Sequence, residues 1–235
     1  MEEMERAVSI VIYGDKDHEY IRKGLNDIQE HFTNYKLYVH ANNCSGKFID
    51  DIIESLGNAP RDISQSLDNI GYIGGVNYNF SRCRERYFYC MNYDIEISGA
   101  LQGQAENLLK SNDLVGVCAG ALTPQGLGMN EQEFPDIPTQ YLSGWFLAVD
   151  RENYLRKYGK KFFDDANLRG SYYEDADLSF RIIHSGGRIA KIPGVLGKLI
   201  RHFGRPCPSL SPPYEINHPL YNRVAFFKKW GLKLL

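Results

Sequence analysis

The feature that most limits the fold of this chain is an alternation of strand-like and helix-like segments over its first 120 residues. Buried strands are predicted for the apolar runs AVSIVIY, YKLYVHA and RYFYCMNYD. Between the first two runs, the segment DHEYIRKGLNDIQEHF places its apolar residues at helical spacing. Strands that alternate with helices at short intervals favour an α/β fold, with a mostly parallel sheet and helices on both faces.

The second half of the chain continues this pattern after one interruption. Residues 121–140 contain three prolines and little periodicity, which predicts a loop along one edge of a site. A strand is expected over 141–150, and a helix is expected from residue 174 to the paired glycines at 186 and 187. Because no internal repeat or low-complexity linker interrupts the chain, one domain is the simplest expectation.

The composition argues against several classes of protein. The net charge is −2 at pH 7, without the basic excess that is typical of a nucleic-acid-binding domain. No apolar run approaches the roughly 20 residues that span a bilayer, and the first residues lack the features of a secretory signal. The five cysteines include no pair at CxxC spacing, which favours reduced thiols over disulfides or a zinc site. We therefore expect a cytoplasmic protein without a nucleic-acid partner.

Three turns are expected to line one crevice, because each follows a predicted strand. They are Gly14-Asp15, Asn42-Asn43-Cys44-Ser45 and Asn92-Tyr93-Asp94. Ligands of open α/β sheets bind at the carboxyl ends of the strands. Each turn taken alone is also explained by ordinary turn chemistry, since Asn, Asp, Gly and Ser are the usual turn residues.

A glycine-rich stretch follows the third predicted strand, with the pattern Asn69-x-Gly71-x-x-Gly74-Gly75-x-Asn77. It is similar to a dinucleotide-binding fingerprint that has lost its first glycine, but it lies about 60 residues after the first strand, where that fingerprint belongs. Two interpretations stay open. The glycines let backbone approach a ligand and begin a helix whose amides face an anion, or they serve tight packing at a helix start.

Asp94 ends an apolar strand, and His202 follows another predicted strand. A hard divalent cation is commonly held by one or two carboxylates together with the phosphates of a substrate. Asp94 and His202 are therefore candidate ligands of Mg²⁺ or Mn²⁺. For His202, an ordinary hydrogen-bonded histidine is the alternative.

The stretch YYEDADLSFR concentrates three carboxylates, those of Glu174, Asp175 and Asp177, at a predicted helix start. Acids in a first helical turn favour the helix dipole, which is the structural explanation. A carboxylate in this position can also act as a general base if it reaches an acceptor hydroxyl. We expect backbone amides to keep its pKa low, so that it is ionised at neutral pH.

In this order, these motifs resemble family-two glycosyltransferases of the GT-A fold, and the likeness covers about residues 7–204. The bacterial rhamnosyl- and galactofuranosyltransferase-like members are the most similar. The resemblance implies a mixed Rossmann-like sheet and an inverting transfer of a sugar from a nucleotide-diphosphate sugar, with UDP or dTDP most expected. It also implies a divalent metal ion and a saccharide or lipid-linked acceptor, as in the synthesis of bacterial surface polysaccharides.

The resemblance also implies roles for individual residues. Asp175 would be the general base, and Glu174 would orient it. Asp94 and His202 would bind the metal. The donor would be bound by Tyr13, Asn42, Asn43, Asn69, Gly74, Gly75, Asn77, Asn92 and Asp94. The acceptor would be bound by Ser143, Gly144, Trp145 and Asp177.

The chain departs from the family pattern at two places. Asn42-Asn43 stands where many members have Asp-Asn, which affects the contacts to base or ribose. Asn92-Tyr93-Asp94 carries one acid where many members have two, which affects the metal site. Two other functions therefore stay open, namely a nucleotidyltransferase and a degenerate or non-catalytic nucleotide-sugar-binding domain.

The resemblance divides the chain into a catalytic domain over residues 1–218 and a C-terminal amphipathic helix over 219–235. Within the domain, residues 1–120 would bind the nucleotide sugar and residues 121–218 the acceptor. The tail pairs Phe226, Phe227 and Trp230 with basic residues, as helices on membrane surfaces do. Peripheral contact with the inner face of the membrane is one interpretation, and packing on the domain or on a second copy in a homodimer is the other.

Overall fold

A computed structural model of the chain describes residues 4–15, 17–123, 126–128, 140–203 and 219–231. The strands are β1 Arg6–Tyr13, β2 Tyr35–Asn42, β3 Arg61–Ser66, β4 Tyr87–Met91, β5 Ile95–Ile97, β6 Leu114–Gly116, β7 Ala119–Thr123, β8 Gly126–Gly128, β9 Gln140–Leu142, β10 Phe146–Asp150, β11 Ile189–Lys191 and β12 Ile200–His202. The helices are α1 His18–His31, α2 Gly46–Leu56, α3 Gly71–Arg82, α4 Gln102–Leu109, α5 Arg151–Tyr158, α6 Glu174–His184 and α7 Pro219–Lys229.

A seven-stranded mixed sheet forms the centre of the molecule, with the order β11-β6-β10-β4-β1-β2-β3. Strands β1 to β4 pair in parallel, as the alternation in the sequence predicts. Strand β10 is antiparallel to both of its neighbours, β4 and β6. Two smaller sheets, β12-β5 and β8-β7-β9, flank this centre.

Both faces of the sheet are covered, which explains why strand β1 is apolar almost throughout. Val8, Ile10 and Ile12 belong to a core cluster that also contains residues of α1, α2 and α4. Ala7 and Val11 point into a second cluster with residues of α3, α5, α6 and α7. Alternate residues of a strand face opposite sides, so a strand between two helical layers needs apolar residues at nearly every position.

Two predicted elements in the second half of the chain were wrong in part. The expected loop over 121–140 instead contributes to strands β7, β8 and β9 in those of its residues that the structure describes. The expected strand over 141–150 is divided into β9 and β10, because Ser143, Gly144 and Trp145 leave the strand direction. At this break, the carbonyl of Trp145 accepts a hydrogen bond from the amide of Asn92, at 3.0 Å.

Helix α7 packs against the domain with the aromatic residues that suggested a membrane surface. Phe226 and Phe227 are buried, and the Phe226 ring lies 5.4 Å from that of Phe180 on α6. The exposed side chains of α7 include Tyr221, Val224 and Lys228. No helix in the described part of the chain is both long enough and apolar enough to cross a bilayer.

Replacement of Gly71 by alanine is expected to destabilise the fold by about 3 kcal/mol, because a left-handed backbone and a steric overlap act together. Gly71 has a φ of +75°, and a Cβ there would lie 2.5 Å from the Cα of Gly170. Urea denaturation measures the effect. The matched control is Gly103→Ala in α4, where a Cβ meets no atom within 4 Å and a small gain of stability is expected. Equal stabilities of the two variants would contradict this account of Gly71.

Candidate active site

The acidic stretch lies at the start of helix α6, as the sequence predicts. The two preceding residues, Tyr172 and Tyr173, have positive φ angles of 75° and 70°, so the chain turns sharply before the helix begins at Glu174. The first turn carries Glu174, Asp175 and Asp177. Successive residues of a helix are rotated by about 100°, so these three side chains point in different directions.

Asp175 is held by two backbone hydrogen bonds. Its Oδ2 accepts from the amide of Gly144 at 2.9 Å, and its Oδ1 accepts from the amide of Ala176 at 2.7 Å. A Cβ at position 144 would lie 3.1 Å from the Cβ of Asp175, which is tighter than ordinary contact. Glycine at 144 therefore lets the segment before β10 approach the carboxylate closely.

Burial raises the pKa of Asp175 to about 6, although the backbone amides of Gly144 and Ala176 act in the opposite direction. The expectation of a low pKa was therefore wrong, because the loss of hydration outweighs two hydrogen bonds. At neutral pH the carboxyl group is still mostly ionised. It combines a negative charge with a pKa close to the pH of the cell, as a general base requires.

Glu174 is buried beside Asp175. Its side chain is only 6% exposed, and its Oε2 has no hydrogen-bond partner among the described residues. Burial and the negative charge of Asp175 raise the pKa of Glu174 well above its usual range. The surroundings of the two adjacent carboxyl groups therefore disfavour two negative charges at once.

Asp177 points away from Asp175 toward helix α7. It is fully buried, and its carboxylate accepts hydrogen bonds from Lys229 Nζ at 2.9 Å and Trp230 Nε1 at 2.9 Å. The expectation that Asp177 lines an acceptor site does not fit this position. Residues two apart on a helix are rotated by about 200°, so Asp177 attaches α7 while Asp175 faces Gly144.

Asp94 and His202 lie together, as candidate metal ligands should. His202 Nε2 is 3.2 Å from Asp94 Oδ1 and 3.3 Å from Asn92 Nδ2. The pair is brought together by the β5–β12 ladder, in which His202 is opposite Ile95. The imidazole stacks on the indole of Trp145, with ring centroids 5.1 Å apart and planes 3° from parallel.

These two side chains fit a divalent cation as a partial set of ligands. A carboxylate oxygen and an imidazole nitrogen suit Mn²⁺ and, through the oxygen, Mg²⁺. Within the described residues, no three His, Cys, Asp or Glu side chains form a metal-binding group. A cation held by Asp94 and His202 would therefore take its other ligands from a bound diphosphate and from water.

The carboxylate and the Asp94–His202 pair are linked through two consecutive residues. The Gly144 amide bonds to Asp175, while the next residue, Trp145, stacks on His202. Trp145 also accepts the hydrogen bond from the amide of Asn92, directly after β4. The two groups therefore flank one short segment at the carboxyl end of β4, where the sequence predicts a crevice, and this region is called the crevice from here on.

The other predicted residues of the acceptor side lie in the same break of the chain. Ser143 is buried, and its amide donates to the carbonyl of Cys118 at 2.9 Å. Gly144 and Trp145 are thus placed at the crevice by their contacts with Asp175 and His202. Ser143 instead connects the break to Cys118, the residue directly before β7.

The predicted donor-binding residues near β2 fall into two groups. Asn42 is buried, and its amide group bonds to the carbonyl of Gly71, the hydroxyl of Ser66 and the amide of Ile70. These contacts are all internal, so Asn42 helps to build the wall of the crevice. Tyr13 and Asn43 lie at the ends of β1 and β2, where a ligand at the carboxyl edge would pass.

The glycine-rich stretch serves packing more than ligand contact. A Cβ on Gly75 would lie 2.8 Å from the side chain of Val11, and one on Gly74 would lie 3.0 Å from that of Ile70. The α3 amide of Ile73 donates to the carbonyl of Gly170 at 2.9 Å, so protein covers the position that an anion would take. The interpretation as a tight helix start therefore describes these glycines better than the ligand-binding one.

The asparagines at the two ends of this stretch also differ. Asn77 forms two hydrogen bonds with the backbone of Phe163. Its Nδ2 donates to the carbonyl of Phe163 at 3.0 Å, and its Oδ1 accepts from the amide of Phe163 at 2.8 Å. It fastens the 161–165 segment to α3 and does not reach the crevice. Asn69 caps Gly71 through Oδ1 at 2.7 Å, while its buried Nδ2 has no partner in the described part of the chain. Asn69 thus keeps a donor for a ligand.

Sequence reasoning missed Tyr72, which lies beneath the crevice. Its hydroxyl donates to the carbonyl of Gly144 at 3.2 Å and lies 3.2 Å from the sulfur of Cys90. It supports the Gly144 segment from the side opposite Asp175. An aromatic residue inside a glycine-rich stretch is usually a packing residue, so no signal in the sequence indicated that Tyr72 lies at the site.

A cavity of about 780 Å³ lies at the opposite edge of the sheet, far from these groups. It is lined by Arg86, Asp113, Asp150, Lys157 and Arg188, among others. Two of its acids are paired, Asp113 with Lys157 at 2.6 Å and Asp150 with Arg86 at 3.2 Å, while Glu152 is exposed. The cavity lies at the amino end of β4, away from Asp175, Asp94 and His202, so the groups at the carboxyl end of β4 are the better candidates for chemistry.

No family model matches the sequence, and no curated protein is significantly similar to it. Several solved structures are similar in fold. The mannosyltransferase PcManGT from Pyrobaculum calidifontis, in complex with GDP-Man and Mn²⁺, has a TM-score of 0.58 and 14% identity over 82% of this chain and 56% of that chain. GalNAc-T7 with UDP, GalNAc and Mn²⁺ has a TM-score of 0.66 and 11% identity, over 86% of this chain and 44% of that chain. S. aureus TarS 1-349 in complex with UDP has a TM-score of 0.61 and 14% identity, over 84% of this chain and 60% of that chain.

These similarities confirm the expected fold. The chain has the GT-A fold, with the mixed Rossmann-like sheet and the helices on both faces that the resemblance implied. It spans less than two thirds of the length of each of the three chains.

Replacement of Asp175 by asparagine is expected to change the pH dependence of stability. The folded-state pKa of Asp175 is raised to about 6 from an ordinary value of 3.8, so the folded chain binds the proton more strongly than the unfolded chain. The wild type therefore loses stability as pH rises from about 4 to 6, and the variant lacks this loss. Urea denaturation measures the free energy of unfolding of both proteins at pH 4.5 and pH 7.5. The free energy of unfolding of the variant minus that of wild type should be larger at pH 7.5 than at pH 4.5, by on the order of 2 kcal/mol. Parallel pH profiles for the two proteins would show that Asp175 is not buried in this way.

Proposed function

We propose that this protein is an inverting glycosyltransferase, which moves a sugar from a nucleotide-diphosphate sugar to an acceptor hydroxyl. The observation that carries the proposal is the joint placement of Asp175 and the Asp94–His202 pair along one segment, Gly144 and Trp145, on a GT-A fold. Transfer with inversion needs one group to take the acceptor's proton and one to stabilise the leaving diphosphate. The crevice supports both.

Asp175 is the group proposed to take the proton. The acceptor oxygen attacks the anomeric carbon on the face opposite the diphosphate. The new carbon–oxygen bond forms as the bond to the diphosphate breaks, so the configuration at that carbon inverts. The proton of the acceptor hydroxyl passes to Asp175, whose orientation is fixed by Gly144 and Ala176. Burial and the charge of Asp175 raise the pKa of the neighbouring Glu174, which disfavours a second charge beside the base.

Asp94 and His202 are the residues proposed to hold a divalent cation, Mn²⁺ or Mg²⁺. When bound, the cation neutralises charge on the diphosphate as it leaves. Asn92 lies beside His202, and Trp145 keeps the imidazole in place by stacking on it. Mn²⁺ in the complexes of PcManGT and GalNAc-T7 supports this assignment.

The donor is proposed to be a UDP- or dTDP-linked hexose or deoxyhexose. UDP in the complex of TarS supports the first, while GDP-Man in that of PcManGT keeps guanosine donors among the ligands to test. Tyr13, Asn43 and Asn69 are the side chains proposed to contact the nucleotide. The donor would bind mainly to residues 1–120 and the acceptor mainly to residues 121–218.

The acceptor is proposed to be a saccharide or a lipid-linked saccharide, in the synthesis of bacterial surface polysaccharides. Transfer would then take place in the cytoplasm or at the inner face of the membrane. Since Phe226 and Phe227 pack inward, a membrane contact of α7 would use its exposed face, with Tyr221, Val224 and Lys228. A second copy could cover the same face in a homodimer.

A nucleotide-sugar-binding domain without turnover is the second candidate function. It is favoured by one observation, the single carboxylate at the Asn92-Tyr93-Asp94 position with no three-residue metal group in the described parts of the chain. This candidate predicts binding of the donor without release of the nucleotide diphosphate.

Asp175→Asn is expected to retain the fold and the binding of the donor but to lose transfer by about 10²- to 10⁴-fold, the usual contribution of a general base. Release of UDP or dTDP from the matching sugar donors, in the presence of Mn²⁺, measures transfer. In the wild type, the rate at low substrate should fall as the pH is lowered through about 6, because Asp175 becomes protonated.

Asp50→Asn, a change of the same kind at an exposed position of α2, is the control and should leave transfer unchanged. Full activity of Asp175→Asn would remove Asp175 from the role of base. Donor binding by the wild type without any release of diphosphate would favour the second candidate function.

Asp94→Asn is expected to remove the metal dependence of donor binding. A ligand of the folded state raises the melting temperature, and a cation that bridges protein and diphosphate enlarges that effect. The melting temperature is measured with UDP, dTDP, GDP and CMP, each with and without Mn²⁺ or Mg²⁺. In the wild type and in Asp50→Asn, the metal should increase the rise in melting temperature that one of these nucleotides causes. The same increase in Asp94→Asn would place the cation elsewhere.

A further inference from the structure

The turn that precedes helix α6 has an unusual backbone. Tyr172 and Tyr173 both lie in the left-handed region, which bulky residues other than glycine seldom adopt. Such a turn persists only where surrounding contacts hold it. Asp175 follows two residues later, so the direction of its carboxylate depends on this turn.

One buried side chain of helix α7 holds the turn. Asn222 is fully buried, and its Nδ2 donates to the carbonyls of Arg169 at 2.7 Å, Ser171 at 2.8 Å and Tyr172 at 3.0 Å. Its Oδ1 accepts from the amide of Arg169 at 2.9 Å. The side chain therefore contacts four backbone groups of the turn, with its two N–H groups shared among three carbonyls.

Helix α7 is also fixed to the body of α6, so Asn222 acts from a rigid support. Lys229 and Trp230 bind the buried carboxylate of Asp177. Phe226 packs on the ring of Tyr173, with centroids 5.5 Å apart. Lys229 also reaches Asp164 at 2.7 Å, which ties the helix to the segment before the turn.

The other side of the turn rests on helix α3. Gly170 packs on Gly71 with no space for a Cβ, and its carbonyl accepts the hydrogen bond from the amide of Ile73. Residues 169–173 are thus held between α3 and α7. Among the residues that the structure describes, the side chains that hydrogen-bond to this turn do not include Asp94, His202 or Trp145.

We propose that Asn222 is a positioning residue for Asp175. By fixing the 169–173 turn, it sets the direction in which α6 presents the carboxylate to the amide of Gly144 and to the crevice. The inference rests on the proposed function, in which Asp175 takes the proton of the acceptor. In the described part of the chain, the side chain of Asn222 bonds only to the 169–172 backbone and not to Asp94 or His202, so loss of Asn222 should affect transfer and leave donor binding unchanged.

Asn222→Ala tests the proposal. An error of about 1 Å in the position of a reacting group is enough to cost about 100-fold in rate. We expect kcat for release of the nucleotide diphosphate to fall at least 10-fold, with the donor KM within about twofold of wild type. Asn222→Ser keeps one donor and one acceptor, so its kcat should lie between those of wild type and Asn222→Ala. It serves as the test protein if the alanine variant does not fold. Val224→Ala, at a 48% exposed position of the same helix, is the control and should match wild type.

A second readout separates positioning from a merely structural role and does not need activity. The amide of Gly144 donates to Asp175 Oδ2, so its NMR signal reports both the contact and the protonation of that carboxyl group. In Asn222→Ala this signal should shift, and the midpoint of its pH titration should move. The metal-dependent thermal shift with the nucleotide diphosphate should stay as in wild type.

Two results would overturn the role of Asn222. One is a folded variant with the wild-type Gly144 signal and titration. The other is a loss of kcat that only follows the loss of folded protein. If the wild type releases no diphosphate from any donor, the proposed function fails, whereas the Gly144 signal still decides whether Asn222 positions Asp175.

Discussion

The crevice depends on one hydrogen bond, from the amide of Gly144 to the carboxylate of Asp175. It joins helix α6 to the segment that enters β10, and β10 is itself paired with β4. Because the following residue, Trp145, stacks on His202, the same short segment determines where both chemical groups of the crevice lie. A Cβ at position 144 would lie 3.1 Å from that of Asp175 and would crowd the start of the helix, so glycine there favours the close approach of the two segments.

The second constraint is the burial of two consecutive carboxyl groups. Full ionisation of both would place two negative charges side by side in a region with little water, at a large cost in free energy. Burial and the neighbouring charge raise the pKa of Glu174, which disfavours its ionisation, while two backbone amides donate hydrogen bonds to the carboxylate of Asp175. The same arrangement that lowers stability at neutral pH raises the basicity of Asp175. This trade between stability and reactivity is typical of catalytic groups.

The parallel first half of the fold could be predicted from the sequence, because it follows from local rules. Buried parallel strands are apolar runs, and polar residues after such strands meet at one edge of the sheet, which is why Asp94 was proposed as a site residue. Asp175 was proposed from a different signal, the cluster of acids at a predicted helix start. The antiparallel position of β10 between β4 and β6 could not be predicted, since no local sequence pattern indicates which strands it pairs with. Asn42, Asn77 and Asp177 were assigned to ligands, yet their contacts are internal. A polar side chain that clamps a loop and one that binds a substrate have the same appearance in a sequence, and only the partner distinguishes them.

The position of β10 has a consequence for the order in which the molecule is built. This strand lies between β4 and β6, both of which precede it in the chain, so β6 cannot join the sheet until residues 146–150 have been made, whereas β4 already pairs with β1. The turn before α6 requires Asn222, which bonds to Arg169 across 53 positions of the sequence. Contacts between such distant residues carry a large cost in chain entropy and form slowly. During synthesis, we expect the parallel strands β1 to β4 to assemble first and the surroundings of Asp175 to be completed only when the last helix docks.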